Sequence, residues 1–211
     1  MICMSRSYGH YCGLARALDV VGDRWNLLIV RQLLMGEVRY RELATGLPGI
    51  ATNLLSDRLR DLEAAGVIER RPAAAGNAVV YALTPWGAEL RGPIEGLIRW
   101  STPLMVRGPE GDPFLPEWLA IALPALLTGA IPAADASPTI GIELDQEMFQ
   151  VHAGAEGLEV ARHDGRPLDA VLRAEPTLIL GMAAGVLRLE DLREVVRIEG
   201  DETAVRQIFT R

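Results

Sequence analysis

Gly46-Leu-Pro-Gly-Ile-Ala-Thr-Asn-Leu-Leu-Ser-Asp-Arg-Leu-Arg-Asp-Leu-Glu-Ala-Ala-Gly66 opens on a tight turn and runs into a helix predicted over 51–65. Leu47-Pro48-Gly49 makes the turn, and Gly66 stands where a helix ends in the left-handed conformation that glycine tolerates. At about 100° per residue, Leu55, Leu59 and Leu62 share one arc, while Thr52, Asn53, Ser56, Asp57 and Arg60 share the opposite one. One side packs; the other is left to touch a surface. Residues 67–71 then read as a strand, 73–77 as a loop with a Gly76-Asn77 turn signal, and 78–83 as the return strand. A turn, a helix with a polar face and an Arg-bearing hairpin are the parts that place a helix in a DNA groove with a wing beside it.

The flanking segments supply a body for that helix. Residues 12–21 carry Leu14, Ala17, Leu18 and Val21 on one helical face, closed by Gly22. Asp23 is placed to cap a second helix in which Trp25, Leu28, Ile29 and Leu33 recur at helical spacing, ended by Gly36. Residues 40–45 make a short third helix. Thr84-Pro85 opens another, with proline at its first position, running towards Trp100 and disturbed at Gly92-Pro93.

The chain has 211 residues, nearly half of them hydrophobic, a length that suits two small domains. Its net charge of −7 hides a division: residues 1–107 carry 13 Arg against 10 carboxylates, whereas 108–211 carry 8 against 18. A mildly basic front and a strongly acidic back fit domains with different partners. All 21 basic residues are arginine, which suits phosphate and base contacts. The segment 107–116, with Gly108, Pro109, Gly111, Pro113 and Pro116, reads as a linker. The expected domains are therefore 1–107, a linker at 108–115, and 116–211. Cys3 and Cys12 make no disulfide framework, and the polar start lacks the apolar core of a signal peptide, so a cytoplasmic protein is expected. The most apolar run, 114–131, is interrupted by Pro116, Glu117 and Pro124, and reads as a buried helix rather than a membrane span.

On the polar face, Thr52, Asn53 and Ser56 suit hydrogen bonds to bases, and Arg60 suits the phosphate backbone. Arg39 and Arg41 are placed to hold phosphates; Arg70 and Arg71 on the wing suit the backbone or minor groove, with Asn77 at the tip. Periodicity alone leaves open a helical protein-interaction domain with a solvated Arg face.

Several separated segments add a resemblance. Cys12-Gly-Leu-Ala-Arg-Ala-Leu-Asp-Val-Val-Gly-Asp-Arg-Trp25, Leu27-Leu-Ile-Val-Arg-Gln-Leu-Leu34, Arg39-Tyr-Arg-Glu-Leu43, Leu47-Pro-Gly-Ile50, Leu54-Leu-Ser-Asp-Arg-Leu59, Leu62-Glu-Ala-Ala-Gly66 and Tyr81-Ala-Leu-Thr84 occur in that order. Together they resemble the HxlR-type winged helix-turn-helix transcriptional regulators over about residues 8–102. The resemblance implies a homodimer joined through its first helix and the helix after the wing, where Trp86, Leu90, Ile94, Leu97 and Ile98 are dimer or core contacts. It implies double-stranded DNA as partner, read as a palindromic operator with half-sites ~34–36 Å apart. Where the family often has serine followed by basic residues, this chain has Ala51-Thr52-Asn53, so the helix tip is uncharged. Arg58 lies between Leu54 and Leu62 in angle, which favours a structural or phosphate role over base reading.

Cys12 has two readings. Some family members use a cysteine near this place to sense oxidants, and a helix N-terminus lowers a thiol's pKa. The other reading, which the sequence favours, is a small buried residue at the dimer interface.

The second half reads as a helix over 116–130, strands near 139–145, 148–154, 157–163 and 168–174, a helix from Pro176 to about 185, a short helix over 190–195, a strand over 196–199 and a last helix capped by Asp201. That mixture is α+β. Asp169-Ala-Val-Leu-Arg-Ala-Glu-Pro-Thr-Leu-Ile-Leu-Gly-Met-Ala-Ala-Gly185 and Arg197-Ile-Glu-Gly-Asp201 resemble the sterol-carrier-protein-2-like domain over about 114–211. That resemblance implies helices laid over a small sheet, and an apolar cavity for a hydrophobic small molecule. Trp118, Ile121, Met148, Leu178 and Met182 are the candidate lining, and an ordinary filled core is the alternative.

No enzyme chemistry is legible. His10, His152 and His163 lack partners at metal spacing, no phosphate loop occurs, and no catalytic set or cofactor motif stands out. The sequence thus reads as a dimeric DNA-binding regulator, a repressor more readily than an activator, with a second domain that binds a hydrophobic effector. The alternative is a redox or electrophile sensor working through Cys12, with a purely structural second domain. A third possibility makes the second half a lipid carrier or small enzyme tethered to DNA.

Overall fold

A computed structural model describes residues 7–74, 78–105, 108–128, 137–144, 146–154 and 157–209. Cys3 and Asn77 lie outside the described residues. The chain divides into two compact units, Met1–Ile94 and Glu95–Arg211.

The first unit begins with α1 (Gly13–Val21), α2 (Asn26–Leu33), β1 (Val38–Arg39), α3 (Tyr40–Thr45) and α4 (Thr52–Ala64). It continues through β2 (Ile68–Pro72), β3 (Val79–Leu83) and α5 (Pro85–Ala88), and ends in the first turn of α6 (Arg91–Met105). The leucine arc of α4 is buried as its spacing predicts, with Leu55, Leu59 and Leu62 at most 2% exposed. Ile29, Val30, Leu33, Leu43 and Leu47 are buried in the same unit. Gly66, at φ +76°, ends α4. The Val67 N–H reaches the Leu62 carbonyl and the Gly66 N–H reaches the Glu63 carbonyl, each at 3.0 Å. That bond pair closes a Schellman motif and turns the chain directly into β2.

Several elements differ from expectation. Asp23 does not cap α2: Trp25 holds that position without a side-chain bond. The Asp23 carboxylate pairs instead with Arg58, which also reaches Asp61 at 3.3 Å. Arg58 is therefore structural, a long-range pairing that α2's own sequence does not announce. The hairpin is a three-stranded sheet in the order β1-β3-β2, because Val38 and Arg39 pair with Tyr81 and Val80. Two residues are too few for periodicity to reveal a strand. The helix after the wing is two helices, broken between Ala88 and Arg91. Pro93 then falls in the first turn of α6, where its missing N–H costs little. On α1, only Ala15 and Val21 are buried, and Leu14 and Leu18 are exposed.

The units divide earlier than the expected linker because the later part of α6 belongs to the second core. Ile98 packs against that core, and the Arg99 guanidinium donates to the Ala125 carbonyl at 3.1 Å.

The second unit is α+β. A 3-10 turn (Pro116–Trp118) leads into α7 (Leu119–Leu127), followed by β4 (Thr139–Leu144), β5 (Glu147–Gly154), β6 (Gly157–Arg162), β7 (Ala170–Arg173), α8 (Pro176–Ala183), β8 (Arg197–Gly200) and α9 (Glu202–Phe209). The expected helix over 190–195 is a 3-10 turn, Leu189–Leu192. The sheet order is β6-β5-β4-β7-β8, with β4 and β7 parallel and every other pair antiparallel. Alternation along the strands gives Ile140, Ile142, Leu144, Val151, Ala153, Ala170 and Leu172 to one buried cluster, shared with Leu119 and Leu123 of α7, Ile179 and Met182 of α8, and Val205 and Ile208 of α9. Asp201 caps α9 as expected, its carboxylate accepting the Thr203 N–H at 2.8 Å.

The Arg197–Asp201 stretch has a backbone reason. Gly200 sits at φ +94°, and a Cβ there would lie 2.5 Å from the Asp169 carbonyl oxygen. The Asp201 N–H donates to that same carbonyl at 2.8 Å, so no side chain fits without opening the β7–β8 pairing. Gly200→Ala is expected to cost about 2–3 kcal/mol of unfolding free energy. Chemical denaturation measures it, and a loss below about 1 kcal/mol would show the loop relaxes freely.

Candidate nucleic-acid interface

The polar arc of α4 is divided by its surroundings. Thr52 and Asn53 are exposed in the first turn. Ser56 is half-buried, and its hydroxyl lies 3.0 Å from the Thr52 carbonyl and 3.1 Å from the Tyr40 hydroxyl. Arg60 is exposed and forms an ion pair with Asp57, one helical turn away. That partner was legible as an i,i+3 spacing.

The arginines fall into two groups. Arg70 on β2 pairs with Glu63 of α4 at 3.0 Å. Arg71 pairs with Glu37 at 2.7 Å and with Glu69 at 3.6 Å. Successive strand residues project to opposite faces, so these neighbours serve different sides of the wing. Arg39 and Arg41, both exposed, have no carboxylate partner among the described residues. The Arg39 backbone N–H donates to the Glu42 carboxylate at 2.7 Å, which starts α3 and fixes where its side chain leaves the chain. Exposed ion pairs contribute about 0–1 kcal/mol, so the wing arginines can exchange a carboxylate for a phosphate at small cost. Arg39 and Arg41 need no exchange. The acidic partners, Glu37 separated by 34 residues from Arg71, are what pattern reading missed.

Cys12 is exposed in the single chain, not buried. It occupies the N-cap of α1, where the backbone N–H groups of Ala15 and Leu14 hold its thiol below the ordinary value. Ahead of it in the chain, residues Ser7 and Tyr8 are pinned by Asp19 of α1. Its carboxylate accepts from the Tyr8 N–H at 2.8 Å and the Ser7 hydroxyl at 3.0 Å. The Tyr8 backbone bond, followed by the Ser7 and Arg16 contacts, holds that carboxyl below the usual range.

In the second unit the five candidate lining residues do not converge on one site. Met182 is buried in the core and Leu178 packs at its edge. Ile121 is buried outside that cluster. Trp118 is half-buried, edge-on to Phe114 with ring centroids 6.0 Å apart. Met148 lies on the other face of the sheet: its neighbour Phe149 opposes Ile142, and Met148 stands over Gly141. Strand alternation, which decides that placement, depends on a register that sequence alone leaves open. His152 and His163 are on the same face as Met148, beside Thr139 at 2.9 Å and Gln150 at 3.3 Å. Among the described residues, no three or more His, Cys, Asp or Glu side chains gather as a metal site.

A helical reader set beside a small antiparallel sheet defines the first unit as a winged helix-turn-helix. The HxlR-like helix-turn-helix family profile matches residues 20–108. An HTH-type transcriptional regulator of Bacillus subtilis, YvaP, is 35% identical over 88 residues, 41% of this chain and 82% of that one. Another from the same species, YodB, is 31% identical over 86 residues, 40% and 77% of the two chains. A regulator of Mycobacterium tuberculosis is 40% identical over 101 residues, and the match spans 63% of its length and 47% of this chain. The solved reduced form of YodB is 29% identical, covers 47% of this chain and 99% of its own, and superposes with a TM-score of 0.41. The chain belongs to the HxlR-like helix-turn-helix family. No helix among the described residues is long and apolar enough to cross a membrane.

The cap geometry of Cys12 sets a test. In a Cys3→Ser background, the pH profile of Cys12 alkylation is expected to have its midpoint below that of an unstructured cysteine peptide measured alongside, since a lowered pKa populates the thiolate at lower pH. A midpoint at or above the peptide's would mean that the helix start does not act on the thiol in solution.

Proposed function

We propose that this protein is a DNA-binding transcriptional regulator that reads a palindromic operator as a homodimer, with Thr52 and Asn53 at base edges and Arg39 and Arg41 on phosphates. The observation that carries the reading is the exposed first turn of α4, with the guanidinium groups of Arg39 at the end of β1 and Arg41 on α3, neither paired with a carboxylate among the described residues. Thr and Asn supply donors and acceptors for base edges, while Arg supplies charge without sequence preference. Arg60, Arg71 and Arg70 reach phosphates by exchanging Asp57, Glu37 and Glu63, at the small cost of an exposed ion pair. Dimerisation is supported by apolar side chains that the single chain leaves in water: Tyr11, Leu14 and Leu18 around α1, and Leu97, Trp100 and Leu104 on α6. Repression is favoured because occupying a promoter needs no second contact. The acidic second unit is excluded from the DNA by repulsion and serves as the sensor of a hydrophobic small molecule. The half-buried apolar side chains Leu178 and Leu180 of α8, at the edge of the core, support that role. Such a molecule acts only through a difference in affinity between two conformations.

Exposure of the Cys12 thiol at a helix start favours a second reading, in which oxidation or alkylation of that thiol releases the operator.

Arg39→Ala and Arg41→Ala are each expected to weaken binding to operator and random duplex alike, and to reduce the salt slope by about 1. Asn53→Ala is expected to lower operator affinity by about tenfold or more and leave random-duplex affinity unchanged. Titrations over a range of salt measure both, and equal losses on the two duplexes for Asn53→Ala would remove it from base reading. The two sensing readings separate on Cys12→Ser. Release by a hydrophobic compound that persists in this variant removes the thiol as its sensor, whereas diamide release that vanishes in it places the sensor at the thiol.

A further inference from the structure

We infer that the Tyr40 hydroxyl is a positioning group for the reading helix, one that couples the phosphate-holding segment to the base-reading turn. The inference rests on the DNA-reading function proposed above. Tyr40 is the first residue of α3 and follows Arg39, the last residue of β1. Its hydroxyl donates to the Thr52 carbonyl at 2.8 Å and lies 3.1 Å from the Ser56 hydroxyl, and the Ser56 hydroxyl lies 3.0 Å from the same carbonyl.

The three oxygens make a closed ring with three contacts and only two hydroxyl protons, because each hydroxyl carries one. Ser56 alone would bond back to its own helix, a local interaction that holds nothing else in place. Tyr40 changes that, because its bond crosses 12 residues and ties the first turn of α4 to another element. The carbonyl it reaches belongs to Thr52, whose side chain, with that of Asn53, is exposed. Arg39 is fixed on the other side of Tyr40 by its pairing with Val80 and by its N–H bond to Glu42. One phenol therefore sets the offset between a phosphate contact and a base contact. Specificity depends on that offset, since phosphate contacts position a reader and base contacts specify the site. Ser56, with its hydroxyl turned towards its own helix's Thr52 carbonyl, adds little to that positioning and is not a primary base reader.

The test uses the full chain and an operator selected by the wild type from a random duplex pool. Tyr40→Phe keeps the ring and removes the hydroxyl. The ratio of operator to random-duplex affinity is expected to fall about three- to tenfold, with random-duplex affinity, salt slope and thermal midpoint unchanged. Ser56→Ala leaves the 2.8 Å Tyr40 bond in place and is expected to keep at least half of the ratio. An unchanged ratio in Tyr40→Phe overturns the inference, as does an equal loss on both duplexes. A Ser56→Ala loss matching that of Tyr40→Phe also overturns it, because Ser56 would then read the DNA itself. A wild type that selects no sequence defeats the DNA-reading function, and this inference with it; a selecting wild type matched by Tyr40→Phe defeats the inference alone.

Discussion

Burial of Leu55, Leu59 and Leu62 against the helical body is the interaction on which the first unit depends. Each leucine removed from water contributes about 1.5–3 kcal/mol, and the three together fix the rotation of α4 about its axis. With that rotation set, Thr52 and Asn53 have nowhere to point but outward. The Gly66 turn at the other end acts on the same helix. By closing the Leu62 and Glu63 carbonyls it directs the chain into β2 at once, so the wing starts where the reader stops. Thr84 joins these ends, its hydroxyl donating to the Gly66 carbonyl at 2.7 Å and accepting the Gly87 N–H at 3.0 Å. Gly87 is needed there because a Cβ would meet the Val67 carbonyl.

The electrostatics of this surface are restrained rather than strongly positive. Most arginines near the reader already hold a carboxylate, and the helix tip carries no charge. Each of those carboxylates reduces the positive potential that this face presents to solvent. That balance suits a regulator that must leave non-specific sites. It also gives weight to small geometric ties such as the Tyr40 bond, because a reader with little charge in reserve depends on the placement of a few side chains.

In the second unit, one face of the sheet is committed to three helices and the other carries Met148, Gln150, His152 and His163. Candidates chosen for apolar character alone were scattered by this division. Met182 entered the core, while Met148 went to the opposite face. Hydrophobicity says that a side chain prefers to leave water, but not which layer receives it.

Local rules carried the reader helix, the hairpin strands, the α+β alternation and the caps at Gly66 and Asp201. Each depends on spacing or on a single residue's backbone preference, and both are written in contiguous residues. The helix after the wing was legible but read as one because proline at 93 tells where a helix is disturbed, not that a new one begins just before it. Strand β1 was too short to show a period. The ion pairs Arg58–Asp23 and Arg71–Glu37, the Tyr40–Thr52 bond and the commitment of late α6 to the second core join residues distant in sequence. The sequence by itself determined the longer elements and the leucine arc that α4 buries, since periodicity and backbone preference are local. Only the tertiary structure decided which charges are neutralised and which hydroxyls are engaged, because those partners meet only after the chain has folded.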